Sequence, residues 1–478
     1  MQPREPESRW QPHGDYPSPE GDRLEAQLTL IRGRFRSAVE PGPLDWPDAG
    51  VEFLVRRGFL TVAEEDYDEV RAFLVEREMA DPLPRPDQAV RAAQRRADPW
   101  RRAPVPERVV DESAGVQELQ PADLASDLGQ PPRDGSRAHG VRWIQLTPGT
   151  LTLAALQAIE DDGPDAEVSP EYVHHVTNTG GRCPADEPYP IVPGSAPDPP
   201  VTADRSAGAG VKVVVLDSGL DLDALRFDWM RDVTGDDEPG VGGAIPPYAG
   251  HGTFIAGLIK TVAPRAEVVV RAAFPVLGLV YERDLVAALA RTLRDDDPDV
   301  INLSAGTPAR RATGPLLLNR FYDRVFRRYK GVVLVAAAGN DGRRERFWPA
   351  AAPWAVSVGA LAEDWRSRAS FSNFGSWVDA YAPGDRLVNA FRSGDYTYTE
   401  PPYRGQTVRF DGMARWSGTS FATPLVAGMI AARMSRTGEN GPDAARVLIR
   451  QAQRSALPGV GAVLRPGQDY GDHTVRRR

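Results

Sequence analysis

Lys212-Val-Val-Val-Leu-Asp217-Ser-Gly219 opens with an almost unbroken apolar run and closes on an acid and a glycine. A strand wetted on one face alternates in polarity, whereas a strand covered on both faces, as in a parallel sheet, has no need to. The run therefore reads as a central strand with Asp217 at its carboxyl end. Comparable runs recur at Ala266–Val270, Val300–Leu303, Val332–Ala336 and Ala355–Val358, with helical patterns at Glu282–Arg294 and Pro315–Lys330 between them. Strand alternating with helix predicts an α/β domain over residues 211–456, a parallel sheet with helices on both faces.

Upstream the texture changes. Seven prolines fall between Pro184 and Pro200, and Ser206-Ala-Gly-Ala-Gly210 follows them. Proline removes backbone donors and favours extended chain, so residues 183–210 read as an exposed linker. Before it, strand patterns at Val51–Val55, Val141–Leu146 and Ala166–Val176 and helical patterns at Glu64–Glu76 and Thr150–Asp161 predict a smaller α+β domain over residues 45–182. Its charged middle, including five arginines within Arg91–Arg102, reads as a solvated accessory segment. Residues 1–44 form a polar N-terminal segment with a short helical pattern at Arg23–Arg34, and residues 457–478 a glycine-rich tail.

Composition narrows the function. The 478 residues carry 57 basic and 66 acidic side chains, a formal net charge of −9, which disfavours a general nucleic-acid binder. The single cysteine, Cys183, excludes an intramolecular disulfide framework and a cysteine-built zinc cage. No signal-peptide pattern and no stretch of about 18 apolar residues is present, so a cytoplasmic protein without a membrane partner is expected.

Three further motifs carry chemistry. In Gly250-His-Gly-Thr-Phe-Ile-Ala-Gly257, His251 stands between glycines that let another backbone approach the imidazole. Ser417-Gly-Thr-Ser-Phe-Ala-Thr-Pro424 puts Ser420 at the start of an apolar helix whose first turn accommodates Pro424; the helix dipole there suits developing negative charge. Ala336-Ala-Ala-Gly-Asn340 ends a buried strand on a side-chain amide. Each has a bland alternative: Asp217 as a magnesium or ribose ligand, His251 as a structural histidine, Ser420 as an N-cap, Asn340 as a turn residue.

Together they are far more specific. Asp217, His251 and Ser420 follow one another in the chain order of subtilisin, not of chymotrypsin or the α/β-hydrolases. Over about residues 205–455 the chain resembles the subtilisin-like serine protease family (subtilases, peptidase family S8). The resemblance rests on Asp217-Ser-Gly, His251-Gly-Thr, Ala-Ala-Gly-Asn340 and Gly418-Thr-Ser-Phe-Ala-Thr-Pro, supported by Asn302-Leu-Ser-Ala-Gly306, Phe371-Ser-Asn-Phe-Gly375 and Ala382-Pro-Gly. It implies a subtilisin-like parallel sheet preceded by the α+β domain, and a serine endopeptidase acting on protein or peptide. Ser420 would be the nucleophile, His251 the base and Asp217 its orienting partner. Asn340 would serve the oxyanion, while Ser304, Ala305, Gly306, Ala338 and Gly339 line the substrate cleft. No cofactor is implied, and no metal, since the calcium ligands of secreted relatives are not found. The N-terminal domain is expected to act as an intramolecular inhibitor. The rival expectation is a catalytically silent scaffold of the same fold.

Three departures from the family pattern stand out. Phe254 follows His251-Gly-Thr where many relatives carry a second histidine, and the loop Pro246-Pro-Tyr-Ala-Gly250 lacks the usual acid upstream of the histidine. Arg343, Arg344 and Arg346 outnumber Glu345 beside the expected specificity pocket, which predicts a preference for acidic residues near the scissile bond.

Overall fold

The computed structural model describes residues 26, 29–31, 35, 38–42, 53–82, 132–176, 186–192, 194–238, 243–274 and 277–468. The helical pattern at Arg23–Arg34, the arginines of 91–102, Cys183 and the end of the tail fall wholly or mostly outside them. Among the described residues no helix is long and apolar enough to cross a membrane.

Lys212–Asp217 lies inside a seven-stranded sheet in the order Ala380–Pro383, Ala355–Leu361, Val333–Ala337, Val300–Leu303, Lys212–Asp217, Glu267–Ala272, Thr234–Gly235. All neighbouring pairs are parallel. The unbroken apolar run has the expected cause. Val213 and Val215 face a core made with helices His251–Val262, Thr419–Thr437 and Gly441–Arg454. Val214 and Leu216 face the opposite core, made with Glu282–Arg291 and Leu316–Arg324. The α/β fold with helices on both faces is thus observed.

The N-terminal part is a second layer system. Phe53–Ala63 pairs antiparallel with Val39–Gly42, Val141–Gln145 and Val168–His175. Helices Tyr67–Glu76 and Thr152–Asp162 cover one face, burying Tyr67, Val70, Leu74, Leu153, Leu156 and Ile159. The outer strand Val168–His175 also accepts Leu279–Tyr281 from the other unit, so one antiparallel sheet is built from both. Salt bridges from Arg320 to Glu65 (2.5 Å) and Glu167 (2.7 Å) lie across the same seam.

Two features differ from the sequence reading. The described part of 183–210 is not a free tether. Glu187 is buried, Tyr189–Pro190 pairs with the Thr407–Trp416 strand, and Asp198 exchanges backbone hydrogen bonds with Val388. Its prolines sit where extended chain adds to a sheet edge and few donors are needed. The long hairpin Leu387–Thr397 with Thr407–Trp416 has no clear strand pattern in the sequence, because its first strand shifts register between Ala390 and Ser393 and Ser393-Gly-Asp resembles a turn.

At the end of Val168–His175, His174 and His175 are fully buried, and none of their four ring nitrogens has a hydrogen-bond partner among the described residues. Burial pushes both imidazoles down to about 3. The same side chains titrate near 6.5 once exposed, so as pH falls below about 6.5 only the separated or unfolded state takes up protons. The stability they support is complete above that pH and declines steadily toward 3. Thermal unfolding and limited proteolysis across about pH 7 to 5 should show the seam weakening on acidification. A His174→Leu, His175→Leu protein should give a flatter profile; an unchanged slope would assign the effect elsewhere.

Candidate active site

Asp217 ends the central strand, and His251 is the first residue of its helix, after Gly250 at φ 84°. The strand end and helix start meet because Gly252 has no side chain. A Cβ there would lie 2.5 Å from the Gly219 carbonyl oxygen and 3.1 Å from Asp217 Cβ. This close approach sets His251 Nδ1 at 2.7 Å from Asp217 Oδ1. An ionised carboxylate only accepts, so Nδ1 carries the proton and Nε2 keeps its lone pair. Nε2 is buried and has no hydrogen-bond partner among the described residues. The ring is held edge-on to Trp416, centroids 5.5 Å apart, and tilted against Phe421 at 5.3 Å.

Ser420 lies in the first turn of Thr419–Thr437, where backbone N–H groups lack intrahelical acceptors. Pro424 falls in the second turn rather than the first, with a consequence for the site. Its absent N–H would have bonded the Ser420 carbonyl. Ser304 Oγ instead donates to that carbonyl at 2.8 Å, and Asn302 Nδ2 donates to Ser304 Oγ at 3.0 Å. Ser420 Oγ in turn donates to the Ser304 carbonyl at 3.3 Å. Asn340 Oδ1 accepts from Thr419 N at 2.7 Å, which orients the amide, and Gly339 N donates to Thr419 Oγ1 at 3.1 Å.

The fold therefore joins Asp217 to His251 and brings the Ser304 and Asn340 segments onto the Ser420 helix. Phe421, next to Ser420, packs on the imidazole, but no hydrogen bond joins Ser420 Oγ to His251 Nε2. Asp217, His251, Ser304, Asn340 and Ser420 are all fully buried. The N-terminal unit pairs with the end of the Ser304 segment: His175 N donates to the Gly306 carbonyl at 3.0 Å, and Gly306 N to the His175 carbonyl at 3.1 Å. Among the described residues no cluster of three or more His, Cys, Asp or Glu side chains is placed to hold a metal ion.

Residues the sequence did not reveal complete the setting. Glu238 Oε2 accepts from Gly250 N at 2.7 Å, and Arg392 Nη1 lies 3.4 Å from the same oxygen. Ser218 Oγ accepts from Gly252 N at 3.1 Å. Glu238 thus sets a carboxyl against the N–H of Gly250, at the end of a loop that has no acid of its own. Burial pushes its carboxyl up to about 7, against the pull of Ser218, Arg392 and Gly250. Only the short acidic run Asp236-Asp237-Glu238 hinted at it.

The description Subtilase family matches residues 208–477, more than half of the chain. Similar curated proteins include Subtilisin-like protease 2 of Arthroderma otae and of Trichophyton verrucosum, each 34% identical over 263 residues, 51% of this chain and 55% of the relative. The chain thus spans about half the length of the curated relatives it matches. Among solved structures, a cold adapted subtilisin-like serine proteinase shares 24% identity at a TM-score of 0.42, covering 55% of this chain and 91% of that one. The self-cleaved protease domain of PatA shares 27% at a TM-score of 0.40, covering 53% and 91%.

Two substitutions separate the roles within the constellation. Asp217→Asn can leave the wrong imidazole nitrogen protonated, and kcat in the peptidase reaction proposed below should fall about 10⁴-fold. Asn340→Ala should lower kcat about 10²–10³-fold with KM little changed. Steady-state kinetics reads both; a loss confined to KM would make Asn340 a cleft-shaping residue only.

Proposed function

The chain belongs to the subtilase family, and from that premise we propose that it is a serine endopeptidase working through Asp217, His251 and Ser420. The observation that carries the reading is the 2.7 Å Asp217–His251 contact, which leaves Nε2 as the basic nitrogen of a fully desolvated imidazole. Ser420 Oγ adds to the substrate carbonyl carbon while Nε2 takes its proton. The oxyanion forms opposite the Asn340 amide and the Ser420 N–H. As the C–N bond breaks, the imidazolium returns the proton to the departing amine, and water then hydrolyses the acyl-enzyme by the same steps. Substrate runs as an added strand along Ser304-Ala305-Gly306, between that edge and Ala338-Gly339.

The N-terminal unit is proposed to restrain this activity. Three contacts support that: the His175–Gly306 backbone pair, the strand Leu279–Tyr281 shared with Val168–His175, and the Arg320 salt bridges. The first of these uses the edge that a substrate would use. The single cysteine fits a reducing, cytoplasmic site of action.

A serine-directed fluorophosphonate should label the protein, and Ser420→Ala should abolish the label. A silent scaffold of the same fold would not be labelled by either route. A chain beginning at Asp186 should be labelled faster than the full chain. A separate fragment ending at Val176 should slow it again or aid its refolding. A fragment that does neither would remove the restraint from this reading.

A further inference from the structure

Phe347 is fully buried and belongs to a two-residue strand, Phe347–Trp348, paired antiparallel with Thr307–Pro308. This pairing slides the phenyl ring between the two segments that flank Ser420. A Cβ built on Gly306 would stand 2.5 Å from Phe347 Cε1, and one built on Gly339 3.0 Å from Phe347 Cγ. One ring therefore touches the backbone of both cleft walls, and both walls are glycine where it does so. Asn373 Nδ2, which bonds the Ala338 carbonyl at 2.9 Å, would lie 2.5 Å from the same Gly339 Cβ, so ring and amide together fill the space on that side of Gly339.

Consider a polypeptide along the Ser304–Gly306 edge, as His175 lies now, with its reacting carbonyl at Ser420 Oγ and the oxygen toward Asn340. The side chain of the residue bearing that carbonyl must enter the space between Ser304–Gly306 and Ala338–Asn340. Resting on the serine peptidase reading, we infer that Phe347 sets the primary specificity by filling the floor of that space. The site then accepts glycine, alanine, serine or threonine before the scissile bond and excludes phenylalanine, tyrosine, leucine and the long cations. A packed phenyl ring between two backbone walls cannot be displaced without opening a cavity or straining the core.

Two of the arginines expected beside the pocket are engaged by other protein groups. Arg346 Nη1 donates to the Ala312 carbonyl at 2.7 Å, and the Arg344 guanidinium lies 5.3 Å from the Phe374 ring centre.

The test profiles a peptide library on the full chain, nicked by added protease if it does not process itself, alongside fluorophosphonate labelling of Ser420. The wild type should cleave after small residues, with kcat/KM for phenylalanine at least about 10²-fold below that for alanine. Phe347→Ala should raise the phenylalanine-to-alanine ratio by about that factor. Phe347→Val should raise it by less, and Phe347→Leu should keep the small-residue preference. Should the alanine variant not fold, the wild-type profile and the valine and leucine variants still decide. A labelled wild type whose profile is led by phenylalanine, tyrosine or leucine overturns this inference alone. So does a parallel loss on all substrates, the signature of a merely structural ring. Absence of labelling overturns the peptidase reading, and this inference with it.

Discussion

The hydrogen bond from His251 Nδ1 to Asp217 Oδ1 joins the end of a buried strand to the start of a buried helix, and most of the packing around it serves to hold that distance. Strand and helix can meet only because Gly252 offers no side chain to the Gly219 carbonyl. Glu238 and Ser218 then take the N–H groups of Gly250 and Gly252, which would otherwise be buried donors without acceptors. Trp416 and Phe421 exclude water from the imidazole faces. A base kept dry and fixed in tautomer costs little reorganisation when charge develops, and this is where preorganised sites gain most of their effect.

The second organising constraint is the seam between the two sheet systems. Val168–His175 bridges the two: it takes Leu279–Tyr281 on the side away from Phe53–Ala63 and, through His175, pairs with Gly306. Edge strands with unpaired backbone groups invite pairing, and here the exposed edges of the two units satisfy each other. The same backbone pairing that would recognise an extended substrate holds the N-terminal unit in place.

Much of this was legible in the sequence for physical reasons. Strands buried on both faces announce themselves by unbroken apolar runs, and every such run found in 211–456 corresponds to a strand of the parallel sheet. The chemistry of Asp217, His251, Asn340 and Ser420 is written into short motifs with glycines at obligatory close contacts. What escaped were features that depend on distant partners. The bulged Leu387–Thr397 strand looks like a turn locally, Glu238 acts through a backbone N–H twelve residues away, and Phe347 matters only because two glycine-bearing walls close on it. The prolines of 183–210 suggested a loose tether, since composition does not report that a sheet edge stands ready to receive them.

Pro424 has a mechanical consequence. A helix interior normally carries its own tension in a continuous ladder of bonds, but this one has a rung missing beneath Ser420. That rung is supplied by Ser304, 116 residues away in the chain and on the Ser304–Gly306 edge. Cleft and helix are thereby stitched into one stiff body: a load placed on the edge by a bound strand reaches the serine's own carbonyl through a single hydroxyl.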